Sequence, residues 1–171
     1  MSTIPTQRLT LLALMPAQLR HVLDDPAALE RELELRRARS VITAVVRRAI
    51  GIKLAKMAQA EPAVHDWYTY WLIVVNEDRC GVGLAGFKGV PDAAGEVEIG
   101  YGIAPEYQGR GYMAEAAVAL IDWAFTAPDC RSVIAPGVLR SNPASSRVLQ
   151  KAGMHVYAET SESISWRIDR A

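Results

Sequence analysis

Apolar and polar residues alternate along several short segments of the chain, a pattern typical of strands that bury one face. The clearest segment is Glu96–Ile103, in which every second residue is Val, Ile or Tyr and the residues between them are Glu or Gly. The aromatic and β-branched run Trp67–Val75 predicts another strand, with Trp67 and Trp71 on the same face. The remaining predicted strands are Arg8–Leu11, Val82–Phe87 and Ser132–Ala135, followed by a closing hairpin between His155 and Ile168.

Other segments repeat their apolar residues at helical spacing. The clearest helix runs from Gly111 to about Phe125, with Met113 and Leu120 on its buried face. A second helix is predicted from Pro143 to about Ala152, and Gly153 is placed to end it. The N-terminal helical segments are Pro16–Leu23, Pro26–Arg39 with a Glu32–Arg36 pair and a cap at Asp24 or Asp25, and Val41–Ala60.

Composition narrows the class of protein. A chain of 171 residues, half of them hydrophobic, predicts a single domain over residues 1–171. Lys plus Arg and Asp plus Glu number 19 each, so the net charge favours neither nucleic acid nor an anionic membrane as a partner. Cys80 and Cys130 belong to no Cys/His cluster, which predicts no metal site and a reduced, cytoplasmic location. No signal peptide and no membrane-spanning run is found in the sequence.

The segment Gly81–Gly86 matches the dinucleotide fingerprint G-x-G-x-x-G. That motif binds pyrophosphate only when a helix follows it, because the helix N-terminus supplies the N–H groups. Here Phe87–Pro91 follows and cannot start a sustained helix. We therefore interpret the segment as a glycine-tolerant antiparallel strand with a bulge.

A second glycine-rich segment, Ala104–Met113, lies between the alternating strand and the clear helix. Glycines there let the chain turn tightly and bring backbone N–H groups close to a ligand. The following helix adds unpaired N–H groups and the positive end of its dipole, so the loop is suited to a pyrophosphate. By local sequence alone, a purely structural glycine turn is an equal alternative.

Two blocks of residues resemble a known family. Glu98–Tyr101, Pro105 and Gln108–Tyr112, followed by an alanine-rich helix, resemble the acetyl-CoA motif of the GNAT-superfamily N-acetyltransferases. Asn142–Ser145 and Val148–Met154 resemble the second motif of their ribosomal-protein N-terminal acetyltransferase subgroup. Each motif alone is moderately specific, and both in this order are strong.

The resemblance, which extends from Glu96 to Met154, implies both a fold and an activity. The fold is α/β (often classed as α+β): a mixed, mostly antiparallel twisted sheet with helices on both faces. The activity is transfer of an acetyl group from acetyl-CoA to a primary amine, with no metal. The cofactor is expected to enter where neighbouring strands separate near Gly102 and Ile103.

The resemblance also implies which residues bind acetyl-CoA. The family's loop pattern is Q/R-x-x-G-x-G/A, which Gln108 and Gly111 match and from which Met113 departs. Since a backbone N–H binds phosphate whatever the side chain, we expect binding to survive, with Met113 pointing into the core. Asn142 would contact the pantetheine arm, although a helix N-cap is an alternative role for it. The full predicted set is Ile103, Gln108, Gly109, Arg110, Gly111, Tyr112, Met113, Asn142 and Ser145.

Acetyl transfer needs a base for the amine and a donor for the oxyanion. Glu98 is the predicted base; Glu96 is the alternative on the same strand face, and a merely solvated or ion-paired glutamate is the other interpretation. A backbone N–H near Ile103 would stabilise the oxyanion. The general acid is open: many relatives carry a tyrosine where this chain has Leu149, which leaves Ser141, Tyr157 or water.

The acceptor is either a protein or peptide N-terminus or a small-molecule amine. One alternative function is a non-catalytic acyl-CoA-binding or regulatory module, and another is an interaction protein whose glycine turn is only structural. A homodimer formed through the edge of the C-terminal hairpin is compatible with the pattern.

Overall fold

The computed structural model describes every residue from Met1 to Ala171. Its strands are β1 (Thr3–Pro5), β2 (Leu9–Ala13), β3 (Arg36–Arg37), β4 (Trp71–Val75), β5 (Cys80–Phe87), β6 (Glu96–Ile103), β7 (Ser132–Leu139), β8 (His155–Glu159) and β9 (Ser163–Asp169). Its α-helices are α1 (Pro16–Asp24), α2 (Pro26–Leu33), α3 (Ala44–Met57), α4 (His65–Tyr68), α5 (Tyr112–Phe125) and α6 (Pro143–Lys151).

The nine strands form one sheet in the order β1-β2-β4-β5-β6-β7-β9-β8, and β3 pairs with β5. Only the β6–β7 and β3–β5 pairs are parallel. Residues of α5 and α6 pack on one face of the sheet, and residues of α1, α2 and α3 pack on the other. The predicted fold class, a mostly antiparallel sheet with helices on both faces, is therefore confirmed. No helix is both long and apolar enough to span a bilayer.

Strands β6 and β7 separate part-way along their length. They pair only between Glu96–Glu98 and Ser132–Ile134. Beyond Glu98, β6 stays paired with β5 while β7 follows β9, so a wedge opens between the two strands. The apolar face of β6 agrees with the alternating pattern, since Val97 and Ile99 are buried.

The predicted strand Trp67–Val75 is wrong at its beginning, because His65–Tyr68 forms the short helix α4. Trp67 and Trp71 therefore do not lie on one extended strand. Both rings still reach the core, where they pack 4.6 and 5.1 Å from the ring of Trp123. Burial against this tryptophan overrides the β propensity of the segment.

The predicted helix Pro26–Arg39 is too long. It ends at Leu33, because Glu34 adopts a left-handed conformation (φ 51°) and the chain then pairs with β5 as β3. The helical Glu32–Arg36 pair is therefore wrong, and Glu32 instead accepts a hydrogen bond from Gln18 at 2.9 Å. The predicted cap is confirmed at Asp25, whose carboxylate accepts from the N–H of Ala28.

The segment Gly81–Gly86 lies within β5, and no helix follows it. The register with β4 shifts by one residue between Ile73 and Val74, which confirms the predicted bulge. The dinucleotide interpretation is thereby excluded on structural grounds, because no helix N-terminus lies at the end of this strand.

Lys53 connects helix α3 to the neighbouring backbone through hydrogen bonds. Its ammonium group lies 4.5 Å from the centroid of the Tyr70 ring. It donates hydrogen bonds to the backbone carbonyls of Tyr68, Thr69 and Phe87, at 3.2, 3.1 and 2.8 Å. Burial, with the charges of Lys56 and Lys88, lowers the pKa of Lys53 to about 7. The carbonyls and the aromatic face oppose loss of the proton, since both favour the ammonium form.

Candidate active site

A cleft lies at the open end of the β6–β7 wedge. Its walls are the end of β6, the loop leading into α5, and one side of α6. Eight of the predicted cofactor-binding residues line it: Ile103, Gln108, Gly109, Gly111, Tyr112, Met113, Asn142 and Ser145. The tertiary structure thus brings together two sequence blocks that are separated by an entire helix and strand.

The loop presents its backbone to this cleft. Gly109 and Gly111 have φ values of +75° and +80°, which a residue with a Cβ adopts only under strain. The backbone N–H groups of Gly109, Arg110 and Gly111 donate no hydrogen bond within the chain. The first N–H groups of α5 have no partner within the helix either. Donors in this arrangement, at the positive end of a helix dipole, are suited to an anion.

Arg8 holds the loop in place from the opposite side. Its guanidinium donates to the carbonyl of Arg110 at 2.9 Å, bonds the carboxylate of Glu115 at 2.7 Å, and lies 4.8 Å from the Tyr112 ring centroid. Burial would raise the pKa of Glu115, but hydrogen bonds from Thr6 and Arg8 and the Arg8 charge lower it overall. Sequence analysis missed this role of Arg8, because its partners are about a hundred residues away along the chain and no local pattern connects them.

Arg110 and Met113 contribute to the loop in different ways. The Arg110 side chain turns back over the Tyr107 ring and donates to the carbonyl of Glu106 at 3.2 Å, and it does not line the cleft. Only its backbone is placed to meet a ligand. The Met113 side chain is buried, as predicted, so the larger residue does not obstruct the loop.

Helix α6 supplies the opposite wall. Asn142 caps it by accepting from the N–H of Ser145 at 3.2 Å, which confirms the capping role while leaving Asn142 at the cleft. Arg147 and Lys151 lie one helical turn apart and also line the cleft. Sequence analysis missed these two cations, although a basic pair four residues apart on a helix was a usable signal.

Glu98 lies outside the cleft lining, on the polar face of β6 at the last residue that pairs with β7. Its Oε1 forms an ion pair with Lys88, and its side chain is 27% exposed. The alternative base, Glu96, is ion-paired with Arg167 and lies 3.4 Å from the Ser132 hydroxyl. Further along the same face, a Cβ added at Gly100 or Gly102 would meet no atom within 4 Å. Open space therefore continues from Glu98 towards the cleft.

A family model described as an acetyltransferase (GNAT) domain matches residues 8–155. The chain belongs to the GNAT acetyltransferase family.

Two relatives of this GNAT domain come from Bacillus subtilis (strain 168). The uncharacterized N-acetyltransferase YjdG is 33% identical over 96 residues, which are 56% of this chain and 56% of the relative. The probable N-acetyltransferase YjcK is 32% identical over 88 residues, which are 52% of this chain and 48% of the relative. The chain thus spans about half the length of the curated relatives it matches.

Solved structures resemble this GNAT domain over nearly all of its length. The ribosomal-protein-S5-alanine acetyltransferase from Vibrio fischeri is 17% identical with a TM-score of 0.67, covering 99% of this chain and 97% of that one. RimL, a ribosomal L7/L12 α-N-protein acetyltransferase in complex with coenzyme A, is 15% identical with a TM-score of 0.67, covering 98% of both chains. An acetyltransferase from Agrobacterium tumefaciens (strain C58) is 24% identical with a TM-score of 0.64, covering 99% of this chain and 95% of that one. At these identities the likeness shows the fold.

The positions considered for a general acid in this GNAT domain are not gathered at the cleft. Leu149 is fully buried in the core. Ser141 lies in an exposed turn and Tyr157 on the exposed strand β8, and neither lines the cleft. The cleft instead contains Tyr101, which sequence analysis placed in the acetyl-CoA motif without a chemical role.

Proposed function

We propose that this GNAT domain transfers an acetyl group from acetyl-CoA to a primary amine. The observation that carries the proposal is the cleft, which is lined both by the glycine loop and by Arg147 and Lys151, next to the end of β6 that is not paired with β7. Family membership and the N-acetyltransferase names of the two Bacillus relatives support it.

The cleft fits the chemistry of acetyl-CoA. The loop from Gln108 to Met113 would hold the pyrophosphate through backbone N–H groups, as helix N-termini do for other phosphates. The two α6 cations would add charge on the opposite side. Beyond Glu98 the edge of β6 is not paired with β7, so its backbone groups are free to bind the amides of the pantetheine arm. A backbone N–H near Ile103 would then donate to the oxyanion.

Glu98 is the proposed base. It lies where the wedge begins, and open space over Gly100 and Gly102 connects it with the cleft. Lys88 engages Oε1, which leaves Oε2 to accept the proton of the amine directly or through a water molecule. Glu96 is less suited to this role, because Arg167 engages its carboxylate and the Ser132 hydroxyl lies against it.

The acceptor is proposed to be either a protein or peptide N-terminus or a small-molecule amine. Two of the similar structures are named for ribosomal-protein acetylation, which makes peptides with a free N-terminus the first acceptors to test.

Calorimetric titration of the purified protein with acetyl-CoA, with NADH and ATP as controls, tests the cofactor assignment. Selective binding of acetyl-CoA is the expected result, and no binding to a folded sample would refute the proposal. Release of free CoA thiol is then measured with peptides that carry a free or a blocked N-terminus and with small amines. Binding without any amine-dependent thiol release would instead identify a non-catalytic acyl-CoA-binding module.

A further inference from the structure

A side-chain contact joins the two walls of the cleft. The Tyr101 hydroxyl on β6 lies 2.9 Å from the Ser145 hydroxyl on α6, and 3.2 Å from the Ser145 carbonyl oxygen. Both residues line the cleft. The helix cap does not account for this contact, because Asn142 engages the backbone N–H of Ser145 and leaves its hydroxyl free.

The position of Tyr101 distinguishes it from the other tyrosines of the cleft. Tyr107 and Tyr112 stand at the glycine loop, where their rings pack against Arg110 and Arg8. Tyr101 stands on the part of β6 that has already separated from β7, two residues before Ile103. In the proposed function this is the thioester end of the cofactor rather than the phosphate end.

We propose that Tyr101 is the general acid that protonates the sulfur of CoA, with the Ser145 hydroxyl donating a hydrogen bond to the phenol oxygen. This inference rests on the proposed function. As the carbon–sulfur bond breaks, its electron pair goes to sulfur and the phenol proton follows, giving the CoA thiol. The Ser145 hydroxyl stabilises the resulting phenolate until solvent returns a proton, while the proton lost by the amine goes to Glu98.

The environment of Tyr101 suits this role. Burial raises the pKa of its phenol, and the hydrogen bond with Ser145 acts in the opposite direction. The group is therefore protonated at neutral pH and able to donate. Either hydroxyl of the pair can be the donor, so when Ser145 donates, the phenol proton is directed to the Ser145 carbonyl at 3.2 Å. This second hydrogen bond is the longer of the two, and a sulfur atom bound in the cleft would replace the carbonyl as acceptor.

The test is a comparison of two ligands that differ only at sulfur. Calorimetry measures the affinity of the full chain and of Tyr101→Phe for CoA and for desulfo-CoA. We expect Tyr101→Phe to weaken CoA binding roughly fivefold to tenfold, the effect of one lost hydrogen bond, and to leave desulfo-CoA binding unchanged. Tyr157→Phe, which removes an exposed hydroxyl outside the cleft, is the matched control and should change neither affinity.

Each outcome of this comparison is informative. If Tyr101→Phe lost the same affinity for CoA and for desulfo-CoA, or lost affinity for neither, the assignment of Tyr101 would be overturned. The acetyl-CoA site itself would stand in either case. Failure of the unaltered chain to bind either ligand would instead remove the proposed function, and this inference with it. Thermal melting of each variant confirms that it is folded.

Thiol release provides a second and independent readout. With any acceptor that supports turnover, Tyr101→Phe should lower kcat roughly 10- to 100-fold, with little change in the KM for acetyl-CoA. In the dependence of kcat on pH, the fall at alkaline pH (the alkaline limb) should disappear in this variant. Ser145→Ala should shift that limb without removing it. A full alkaline limb in Tyr101→Phe would contradict the role.

Discussion

Gly111 allows the anion site to be tested by separating backbone strain from charge. It precedes the first residue of α5 with φ +80°, and an added Cβ would meet only the Arg8 guanidinium, at 3.4 Å. Alanine therefore fits without a steric clash but in a left-handed conformation that costs about 1–2 kcal/mol. The loop would have to change shape to relieve this strain. We therefore expect Gly111→Ala to weaken acetyl-CoA binding by about tenfold.

Gly111→Asp adds a negative charge to the same strain. A carboxylate about 5 Å from a phosphate oxygen, at an effective dielectric constant of about 20, is repelled by roughly 3 kcal/mol, which is about a hundredfold in affinity. Arg8 lies beside the new side chain and would offset part of this, although Glu115 already engages its charge. We therefore expect Gly111→Asp to bind acetyl-CoA at least about tenfold more weakly than Gly111→Ala.

Calorimetry at about 0.05 and about 0.5 M salt measures the difference in acetyl-CoA affinity between Gly111→Asp and Gly111→Ala. If charge repulsion causes this difference, it should be smaller at the higher salt concentration, because salt screens the repulsion. The control for the charge is Gly51→Asp, which introduces the same carboxylate at an exposed position of α3, in open space and outside the cleft. It should leave acetyl-CoA affinity unchanged. Equal affinity of Gly111→Asp and Gly111→Ala would refute the placement of the pyrophosphate at this loop.

Three further predictions concern the base, the cations and stability. Glu98→Gln should lower turnover, measured by thiol release, with acetyl-CoA affinity nearly unchanged; full activity would exclude Glu98 as the base. Replacing Arg147 and Lys151 together by Gln should weaken acetyl-CoA binding and flatten its salt dependence in calorimetry, whereas Arg31→Gln, on the exposed side of α2, should do neither. The folded state lowers the pKa of Lys53 from 10.5 to about 7. Between these two pH values the folded chain therefore binds fewer protons than the unfolded chain, and the free energy of unfolding should rise with pH. Urea unfolding at pH 7 and pH 9 should show this rise, at most about 1.4 kcal/mol per pH unit, in the unaltered chain and not in Lys53→Met.

Some features of this protein follow from local sequence. The alternation in Glu96–Ile103 sets a strand with one buried face, because side chains along a strand point to opposite sides in turn. The glycines before α5 and the Asn-Pro pair before α6 determine where those helices begin, because positive φ and capping are properties of the residues themselves. The elements that border the cleft were predictable for this reason, whereas the fold class and the predicted half of the cleft lining came from the resemblance of these blocks to the GNAT family.

Other features were decided by tertiary contacts. Trp67 enters a helix rather than a strand because it packs against Trp123, and the chain after Leu33 leaves its helix to pair with β5. The edge strand β1 was also missed, since three residues carry too little pattern to be recognised.

The chemistry of the site shows the same division. Local sequence identified Glu98 and the glycine loop as candidates, but it contained no sign that Lys88 would pair with Glu98 or that Tyr101 would meet Ser145. Lys88 meets Glu98 through the pairing of the chain after β5 with β6, and Tyr101 meets Ser145 through the packing of α6 over the wedge. Residue types and spacing determined which side chains and backbone groups were available. The tertiary structure decided which of them face one another, because contact depends on separation in space rather than along the chain.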